Sequence, residues 1–402
     1  MERQTSEEVQ KNITRVKASI TIARLLALEG VAFRGHDETE ESSNRGNFIE
    51  FLQLLADHNE EIGRVALDKA PPYAKYTSHE IQKQILHVLA KKVRNHIFEE
   101  VGNYKYSIIV DEASDESSHE QMAIVLRFVD ANGLIQERFF SIVHVENTTS
   151  KTLYSAIRSI LSFYKFPIQN LRGQGYDGAS NMRGEWNGLQ ALFLKDSPQA
   201  YYVHCMAHRL QLSLVAASYV FNAAIDVQMT KLGSRFNDRV VELLKLSSSL
   251  NPRDGFKTFD IDAICKLARE YYPLDFSDDD IDTLKFQLKM FQVNIPNYPS
   301  LEKLSSITDL CKELASTRLG KEYNLIDRLI RLLLTLPVST ATGERAFSAK
   351  KIVKNRLRNK MNDDFLADSL VIFIKRMIAK NFRLDDILSD FVDLKEHRVL
   401  FK

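Results

Sequence analysis

The sequence predicts a mixed α/β fold, in which a sheet of order β-β-β-α-β lies between an N-terminal helical region and a set of C-terminal helices. Two changes of hydrophobic period lead to this prediction. Apolar residues follow helical spacing over the first hundred or so positions and then form short runs of branched and aromatic residues from residue 104. Helical spacing returns beyond residue 219, so the sheet is expected in the middle of the chain.

The size and charge of the chain limit the classes of function. Its 402 residues suffice for two or three domains, and 44% hydrophobic with 27% charged residues is typical of a globular protein. Because 54 basic and 53 acidic residues nearly cancel, nucleic-acid binding would require a local basic patch. No apolar stretch has the length of a membrane span, and the N-terminus lacks the apolar core of a signal peptide, so we expect an intracellular protein.

The clearest predicted helix lies in the N-terminal region, over residues 77–98. Apolar side chains repeat at every fourth position along one face of it: Ile81, Ile85, Leu89, Val93 and Ile97. Thr77 and Glu80 have the spacing of a capping box at its start. A polar segment at 36–46 and the Pro71-Pro72 pair predict breaks between the preceding helices.

The predicted sheet begins with an antiparallel meander. Its three strands are YSIIV, which is expected to end at Asp111, QMAIVLRFVD and IQERFFSIVHV. The residues Asp-Ala-Asn-Gly at 130–133 predict a hairpin turn between the second and third strands. A helix capped by Thr149 or Ser150 follows, then a short strand that leads into a glycine-rich turn at Asp177. A further brief strand and a helix are expected in the segment YYVHCMAHRLQLSLVAAS.

The remaining chain is expected to be helical. The acidic segment 275–282 predicts a helix N-terminus, where carboxylates interact favourably with the helix dipole. Strongly apolar helices follow in the last hundred residues, and Pro337 interrupts them.

Two of the acids are expected to meet at one edge of the sheet. Asp111 and Asp177 each follow a predicted strand, and open α/β sheets place their chemistry at the carboxyl ends of neighbouring strands. Two carboxylates there can share a divalent ion, and a third from a later helix would complete a two-metal site for phosphodiester chemistry. From the topology alone, unrelated acids in turns remain the alternative.

Four motifs occur in the order found in hAT-superfamily DNA transposases: VDEASD, GQGYDGASNMRG, VHCMAHRLQL and LPVSTATGERAFSAKKIVKNRLRNKM. The chain resembles this superfamily over most of its length, and within it the zinc-finger MYM-type-1-like branch. The resemblance implies an RNase H-like fold, split by a helical insertion, that cuts and joins DNA with three acids. Carried across, the catalytic acids and the ligands of Mg²⁺ or Mn²⁺ are Asp111, Asp177 and Glu344.

The histidines near the fifth strand have two interpretations. His204, Cys205 and His208 have spacing that suits zinc, but a structural zinc site needs four ligands and no fourth is near. The three cysteines of the chain include no C-x-x-C pair, so a disulfide framework is not expected either. The resemblance implies that the Cys-x-x-His pair lies beside the active site, with His208 contacting DNA or ordering the site. An ordinary hydrogen-bonded helix histidine is the alternative.

The C-terminal region carries a basic segment and an apolar surface. Five residues of the basic segment are predicted to contact the DNA backbone, with a solvated basic face as the alternative: Lys350, Lys351, Lys354, Arg356 and Arg358. The resemblance assigns this region to dimerisation, and the predicted interface residues are Leu333, Leu336, Phe347, Leu370 and Phe373.

These predictions divide the chain into four regions. They are an N-terminal helical region (1–100), the first part of the catalytic core (101–218), a remnant of the insertion (219–300), and the C-terminal core helices with the dimerisation region (301–402). Two departures from the family are expected, namely the loss of most of the insertion and the lack of an N-terminal zinc finger.

Two hypotheses of function follow. The favoured one is a transposase-derived, dimerising protein with an RNase H-like core that does not transpose, and the alternative is an active metal-dependent transposase or residual nuclease. An incomplete gene model is a third explanation of the missing insertion. We expect a homodimer, weak sequence-independent DNA binding, no membrane association, and a nuclear or nucleo-cytoplasmic location.

Overall fold

The computed structural model describes residues 6–39, 41–114, 120–177, 179–184, 187–205, 238–354 and 361–394. The strands are β1 (Tyr106–Ser114), β2 (Glu120–Val129), β3 (Ile135–Val145), β4 (Leu171–Tyr176) and β5 (Tyr201–His204). The helices up to β5 are α1 (Ser6–Leu28), α2 (Asn47–His58), α3 (Glu60–Gly63), α4 (His79–Val101), α5 (Ser150–Phe163), α6 (Ser180–Arg183) and α7 (Leu189–Asp196).

The described helices beyond residue 237 complete the element list. They are α8 (Asp238–Ser248), α9 (Arg253–Phe256), α10 (Ile261–Tyr271), α11 (Asp278–Asn294), α12 (Pro299–Glu302), α13 (Ile307–Ser316), α14 (Leu319–Glu322), α15 (Asn324–Thr335), α16 (Ala341–Val353), α17 (Asp363–Ile374), α18 (Arg376–Asn381) and α19 (Leu384–Val392). None of these described helices is both long enough and apolar enough to cross a membrane.

The five strands form one mixed sheet in the spatial order β3-β2-β1-β4-β5. Strand β1 is antiparallel to β2 and parallel to β4, and β4 is parallel to β5. The predicted α/β class and the β-β-β-α-β order are therefore confirmed. Strand β4 can lie parallel to β1 because α5, between β3 and β4, returns the chain across the sheet. Parallel neighbours require a crossover connection of this kind.

Asp111 does not end the first strand, and this part of the prediction was wrong. Strand β1 continues to Ser114, and Asp111 lies opposite Ala123 in the pairing with β2. The antiparallel register extends as far as Ser114 opposite Glu120. A strand ends where its backbone loses its hydrogen-bonding partner, whatever the charge of the side chain. Strand β2 still pairs with β1 at and beyond Asp111, so β1 continues.

Most of the predicted turns and caps are present. The hairpin turn closes where the Gly133 amide donates to the Asp130 carbonyl at 3.0 Å. Thr149 caps α5, and Ser277 and Asp280 form a capping box on α11. The cap of α4 is shifted by one residue from the prediction, because the Ser78 hydroxyl accepts the Ile81 amide at 3.4 Å.

The chain divides into two compact units, and the first comprises the described residues within 1–99, 139–144 and 345–402. Its core includes the predicted face of α4, with Ile85, Leu89, Val93 and Ile97 fully buried. The buried Arg94 guanidinium donates to the Asp368 carboxylate of α17 at 2.7 Å. The predicted region 301–402 is thus divided between the two units.

The second unit comprises the described residues within 100–138 and 145–344. An apolar core formed mainly by α10, α11, α13 and α15 includes the fully buried Leu267, Leu284, Leu310 and Leu329. Helix α15 packs against β2 and β4 of the sheet. This packing leads the chain from α15 to the sheet edge, where the candidate site lies.

Candidate active site

The parallel pairing of β1 and β4 brings the first two predicted acids to one edge of the sheet. Ile109 of β1 lies opposite Gly175 of β4, and two residues farther along each chain stand Asp111 and Asp177. Residues two apart on a strand share a face, so continuing this register places the two acids level with each other. Both acids are partly buried.

Asp177 is held by the turn that follows β4. The Tyr202 hydroxyl of β5 donates to the Asp177 carbonyl at 2.8 Å, and the Ala179 amide donates to its Oδ1 at 3.2 Å. The backbone and one carboxylate oxygen of Asp177 are therefore oriented by the neighbouring strand and turn.

Glu344 lies in the first turn of α16, and the start of this helix is tied to the sheet. The Thr340 amide and hydroxyl both donate to the buried sulfur of Cys205 at 3.3 Å. The Cys205 amide in turn donates to the Tyr176 carbonyl at the end of β4, at 3.1 Å. The Thr340 carbonyl accepts the Glu344 amide at 3.1 Å. These bonds connect the ends of β4 and β5 directly to the residue predicted as the third acid.

Gly343 lets α16 come close to Asp111. A Cβ at Gly343 would stand 2.7 Å from the Cβ of Asp111, closer than real Cβ atoms approach, and 3.3 Å from its Oδ2. The adjacent Thr342 hydroxyl donates to Glu137, whose other oxygen accepts Arg127 Nη1 at 2.6 Å. Gly343 was not among the predicted site residues, although its position directly before Glu344 was a usable signal.

Two glycines of β4 let the segment between α15 and α16 lie close to the sheet. A Cβ at Gly173 would lie 2.7 Å from Pro337 Cδ, and one at Gly175 would lie 2.8 Å from Pro337 Cβ. The segment therefore crosses β4 in direct contact with its backbone. This explains the alternation of glycine in the sequence LRGQGYD and brings Thr340 to the end of β5.

The three predicted acids interact electrostatically. The pKa of Asp111 is raised to about 7, first by burial, then by the negative charges of Glu344 and Asp177. Burial removes water from the carboxylate, and like charges nearby disfavour its ionised form further. Glu344 itself is exposed. The structure thus brings the three side chains into one electrostatic cluster at the sheet edge.

Glu112 is a fourth acid in this cluster, and sequence analysis missed it. Its pKa is raised to about 7 by burial and by the charge of Asp177, while a hydrogen bond from Asn181 acts in the opposite direction. Its Oε1 is buried and has no hydrogen-bond partner among the residues that the structure describes. Asn181 also donates to the Thr148 carbonyl at 2.8 Å, so the turn after Asp177 is joined to both β1 and the start of α5. The signal in the sequence was the acidic pair Asp111-Glu112.

Asp111, Asp177 and Glu344 of this cluster are the predicted metal ligands. Within the described part of the chain, no group of three or more His, Cys, Asp or Glu side chains is arranged so that it could hold a metal ion. A hard cation such as Mg²⁺ needs several oxygen ligands at about 2.0 to 2.1 Å. The role of the cluster in binding Mg²⁺ or Mn²⁺ therefore stays a prediction.

Three of the predicted DNA-contacting residues, His208, Arg356 and Arg358, lie outside the described residues. Of the others, Lys351 is exposed and Lys354 is partly buried. Lys350 is buried, which removes it from the surface of this chain.

The predicted interface residues also differ in exposure. Leu370 lies on α17, and its side chain is fully buried in the core of its own chain. The other four are partly buried: Leu333, Leu336, Phe347 and Phe373. None of the five is a strongly exposed apolar side chain, so their role in dimerisation stays a prediction.

Two family models match the chain. Residues 1–188 match the ZMYM1/FAM200 RNase-like domain, and residues 287–378 match the hAT family C-terminal dimerisation region. The chain carries a hAT-family dimerisation region. The family resemblance and the RNase-like core predicted from the four motifs are therefore confirmed.

The chain is also similar to a human and a mouse protein, each named "52 kDa repressor of the inhibitor of the protein kinase". Each is 22% identical to it over 241 residues, which is 59% of this chain. The matched segment spans 32% of the length of each relative.

Proposed function

We propose that this chain is a hAT-derived, self-associating protein that keeps the folded core and the acids of a transposase and does not carry out transposition. The observation that carries the proposal is the state of the acid cluster. Burial and like charges raise the pKa of Asp111 and of Glu112 to about 7, so at neutral pH protons compete with a cation for the cluster and weaken it as a metal site. Transposition by three acids depends on metal ions held at such a site.

The active enzyme is the second candidate, and one observation favours it. Asp111, Asp177 and Glu344 occupy one sheet edge closely enough that their charges interact. Under this hypothesis the three acids would be the ligands of Mg²⁺ or Mn²⁺, which prefer hard oxygen ligands. The bound ion would supply an activated water or hydroxyl for phosphodiester cleavage.

Cleavage of DNA separates the two candidates. The purified chain is incubated with Mn²⁺ and an end-labelled DNA duplex, beside the Asp111→Ala and Asp177→Ala variants. We expect the wild type to cleave no faster than either variant. Cleavage by the wild type that both substitutions abolish would establish the enzyme instead.

Self-association is proposed through the exposed face of α11. Three apolar side chains at positions i, i+4 and i+7 share that face: Phe286 is 64% exposed, Met290 42% and Val293 71%. Met290 and Val293 lie within the matched dimerisation region, 287–378. An exposed apolar stripe of this kind typically marks an interface, and its place in a dimerisation region favours a second copy as the partner.

Sedimentation equilibrium tests this interface. The double substitution Phe286→Ser/Val293→Ser is expected to weaken self-association by at least about tenfold, because it removes apolar area that the dimer would bury. The control is Phe163→Ser, since Phe163 is equally exposed, at 75%, and lies outside the matched region. A wild type that stays monomeric, or that associates equally well with the stripe removed, would contradict the proposal.

Weak DNA binding and a nuclear location complete the proposal. Exposed Lys351 supports backbone contact at the start of the basic segment 350–360. Such contacts neutralise phosphates and do not identify bases, so binding is expected to be indifferent to sequence and to decrease steeply with salt. A strong preference for one duplex sequence would contradict this.

A further inference from the structure

The first compact unit contains a basic cavity that the acid cluster does not involve. It has a volume of about 210 Å³ and lies between the first half of α1 and the segment 64–73. Its charged lining residues are the four bases Lys11, Arg15, Arg64 and Lys69 and the one acid Glu8. The formal charge of the lining is therefore 4 − 1 = +3 in a chain whose net charge is only +1.

Arg15 is the central residue of this cavity. Only 7% of its surface is exposed, and its hydrogen bonds go to neutral groups. Its Nε donates to the Val65 carbonyl at 2.7 Å, and its Nη1 donates to Asn12 Oδ1 at 2.6 Å. Among the described residues, neither a carboxylate ion pair nor a hydrogen bond of Nη2 is present. Arg15 therefore presents a buried positive charge with one terminal nitrogen still able to donate.

A buried charge of this kind is costly unless it is paired. Desolvation of a cation in a protein interior has to be offset by an opposite charge and by hydrogen bonds. Burial lowers the pKa of Arg15, and the nearby Tyr76, Tyr73 and Glu8 offset this effect only in part. An anion inside the cavity would provide the missing negative charge directly beside the guanidinium.

The bases at the rim are available for such an anion. Lys11 pairs with Glu7 at 2.6 Å and Arg64 with Glu60 at 2.8 Å, and both pairs lie on exposed helix surfaces. Exposed pairs one helical turn apart contribute little stability and exchange readily. Lys69 is exposed and has no ion pair within the described part of the chain. The basic side chains at the rim can therefore turn towards an anion in the cavity with little loss of stability.

We infer that this cavity binds a phosphate group, with Arg15 donating to it from the interior and Lys11, Arg64 and Lys69 surrounding it at the rim. Phosphate matches the site because a guanidinium presents its donors in a planar fork that suits phosphate oxygens. Tyr73 also lines the cavity, and its exposed ring offers a stacking surface for a base attached to the phosphate. The inference does not depend on any activity of the acid cluster.

Calorimetric titration of the full chain with inorganic phosphate, at constant ionic strength set by sodium chloride, tests the inference. The rim variant Lys11→Gln/Lys69→Gln should lose at least about tenfold in affinity, because two charges that face the ligand are removed. The matched control Lys91→Gln/Lys380→Gln removes the same charge from exposed positions of the same unit that do not line the cavity. It is expected to bind like the wild type.

Arg15→Lys is the second test, since it keeps the charge and removes the planar fork. Its loss of affinity should exceed that of the control, and circular dichroism reports whether it still folds. If Arg15→Lys does not fold, the rim variant alone decides the outcome. Absence of phosphate binding by the wild type, or equal binding by the rim variant and the control, would overturn the inference.

A mononucleotide and a short oligothymidylate identify the source of the phosphate. Both should compete with inorganic phosphate in the wild type. Tighter binding of the oligonucleotide, lost in the rim variant, would assign the site to a nucleic-acid backbone. Equal affinity of the mononucleotide and the oligonucleotide, with both exceeding inorganic phosphate, would assign it to a free nucleotide.

Discussion

The sulfur of Cys205 accepts two hydrogen bonds from Thr340, one from the amide and one from the hydroxyl, each at 3.3 Å. The two residues are far apart in sequence, and this contact sets where α16 begins relative to the end of β5. The position of Glu344 in the acid cluster therefore depends on a cysteine that lies outside the cluster itself.

Cys205→Ala should destabilise the fold by about 1 to 3 kcal/mol, because it leaves two buried donors of Thr340 without an acceptor. Cys205→Ser should recover part of this loss, since the serine oxygen can accept. Urea unfolding measures both. Cys265→Ala, at another buried thiol, shows the cost of losing a thiol alone. Equal losses at Cys205 and Cys265 would mean that the contact with Thr340 is unimportant.

Gly343→Ala should displace α16 from Asp111, because the added methyl group would overlap the Asp111 side chain. We expect a loss of roughly 1 to 3 kcal/mol, as for other cases of overpacking. The exposed neighbour Arg345 provides the control, since Arg345→Ala changes the same helix turn without entering the site. Thermal unfolding of both variants is the measurement. A Gly343→Ala protein as stable as wild type would show that the helix adjusts freely.

Stability in the absence of metal should depend on pH through Asp111 and Glu112. In the folded chain the pKa of each is about 7. In the unfolded chain the pKa of a carboxyl group is about 4. The folded chain therefore binds more protons than the unfolded chain between these values. Its stability should fall as pH rises through this window and level off above about pH 7.

Asp111→Asn removes one of these titrations. The variant should be more stable than wild type by roughly 1 to 3 kcal/mol at about pH 8, with a smaller difference at about pH 5. Urea unfolding across this range measures the slope, and Asp68→Asn, at an exposed position, should leave it unchanged. A variant that is less stable than wild type at high pH would mean that the Asp111 charge is favourably paired.

Arg172 and Asp275 form a buried ion pair with two hydrogen bonds of 2.6 Å. Arg172→Met should cost about 3 to 5 kcal/mol, because it leaves the buried Asp275 charge to the longer contact with Lys105, at 3.6 Å. The exposed pair of Lys266 and Glu242 is the matched control, and Lys266→Met should cost much less stability. Urea unfolding measures the loss of stability in both variants. Similar losses would mean that burial does not strengthen the dependence of Asp275 on Arg172.

Local sequence determined those elements whose information lies within a few neighbouring residues. The hairpin turn at 130–133, the Thr149 cap and the Ser277 capping box all follow from side chains that bond to nearby backbone. The common sheet edge of Asp111 and Asp177 was also predictable. Two parallel strands joined by a crossover helix have their carboxyl ends on the same side.

Only the tertiary structure decided which residues surround those acids. The backbone partner that keeps Asp111 inside β1 comes from β2, and the close contact of Gly343 with Asp111 comes from a helix more than two hundred residues away. The burial of Glu112, Lys350 and Leu370 likewise depends on segments distant in sequence. Hydrophobic period and capping motifs describe one segment at a time. The pKa of a carboxyl group and the exposure of a lysine depend on how separate segments pack together, which no single segment encodes.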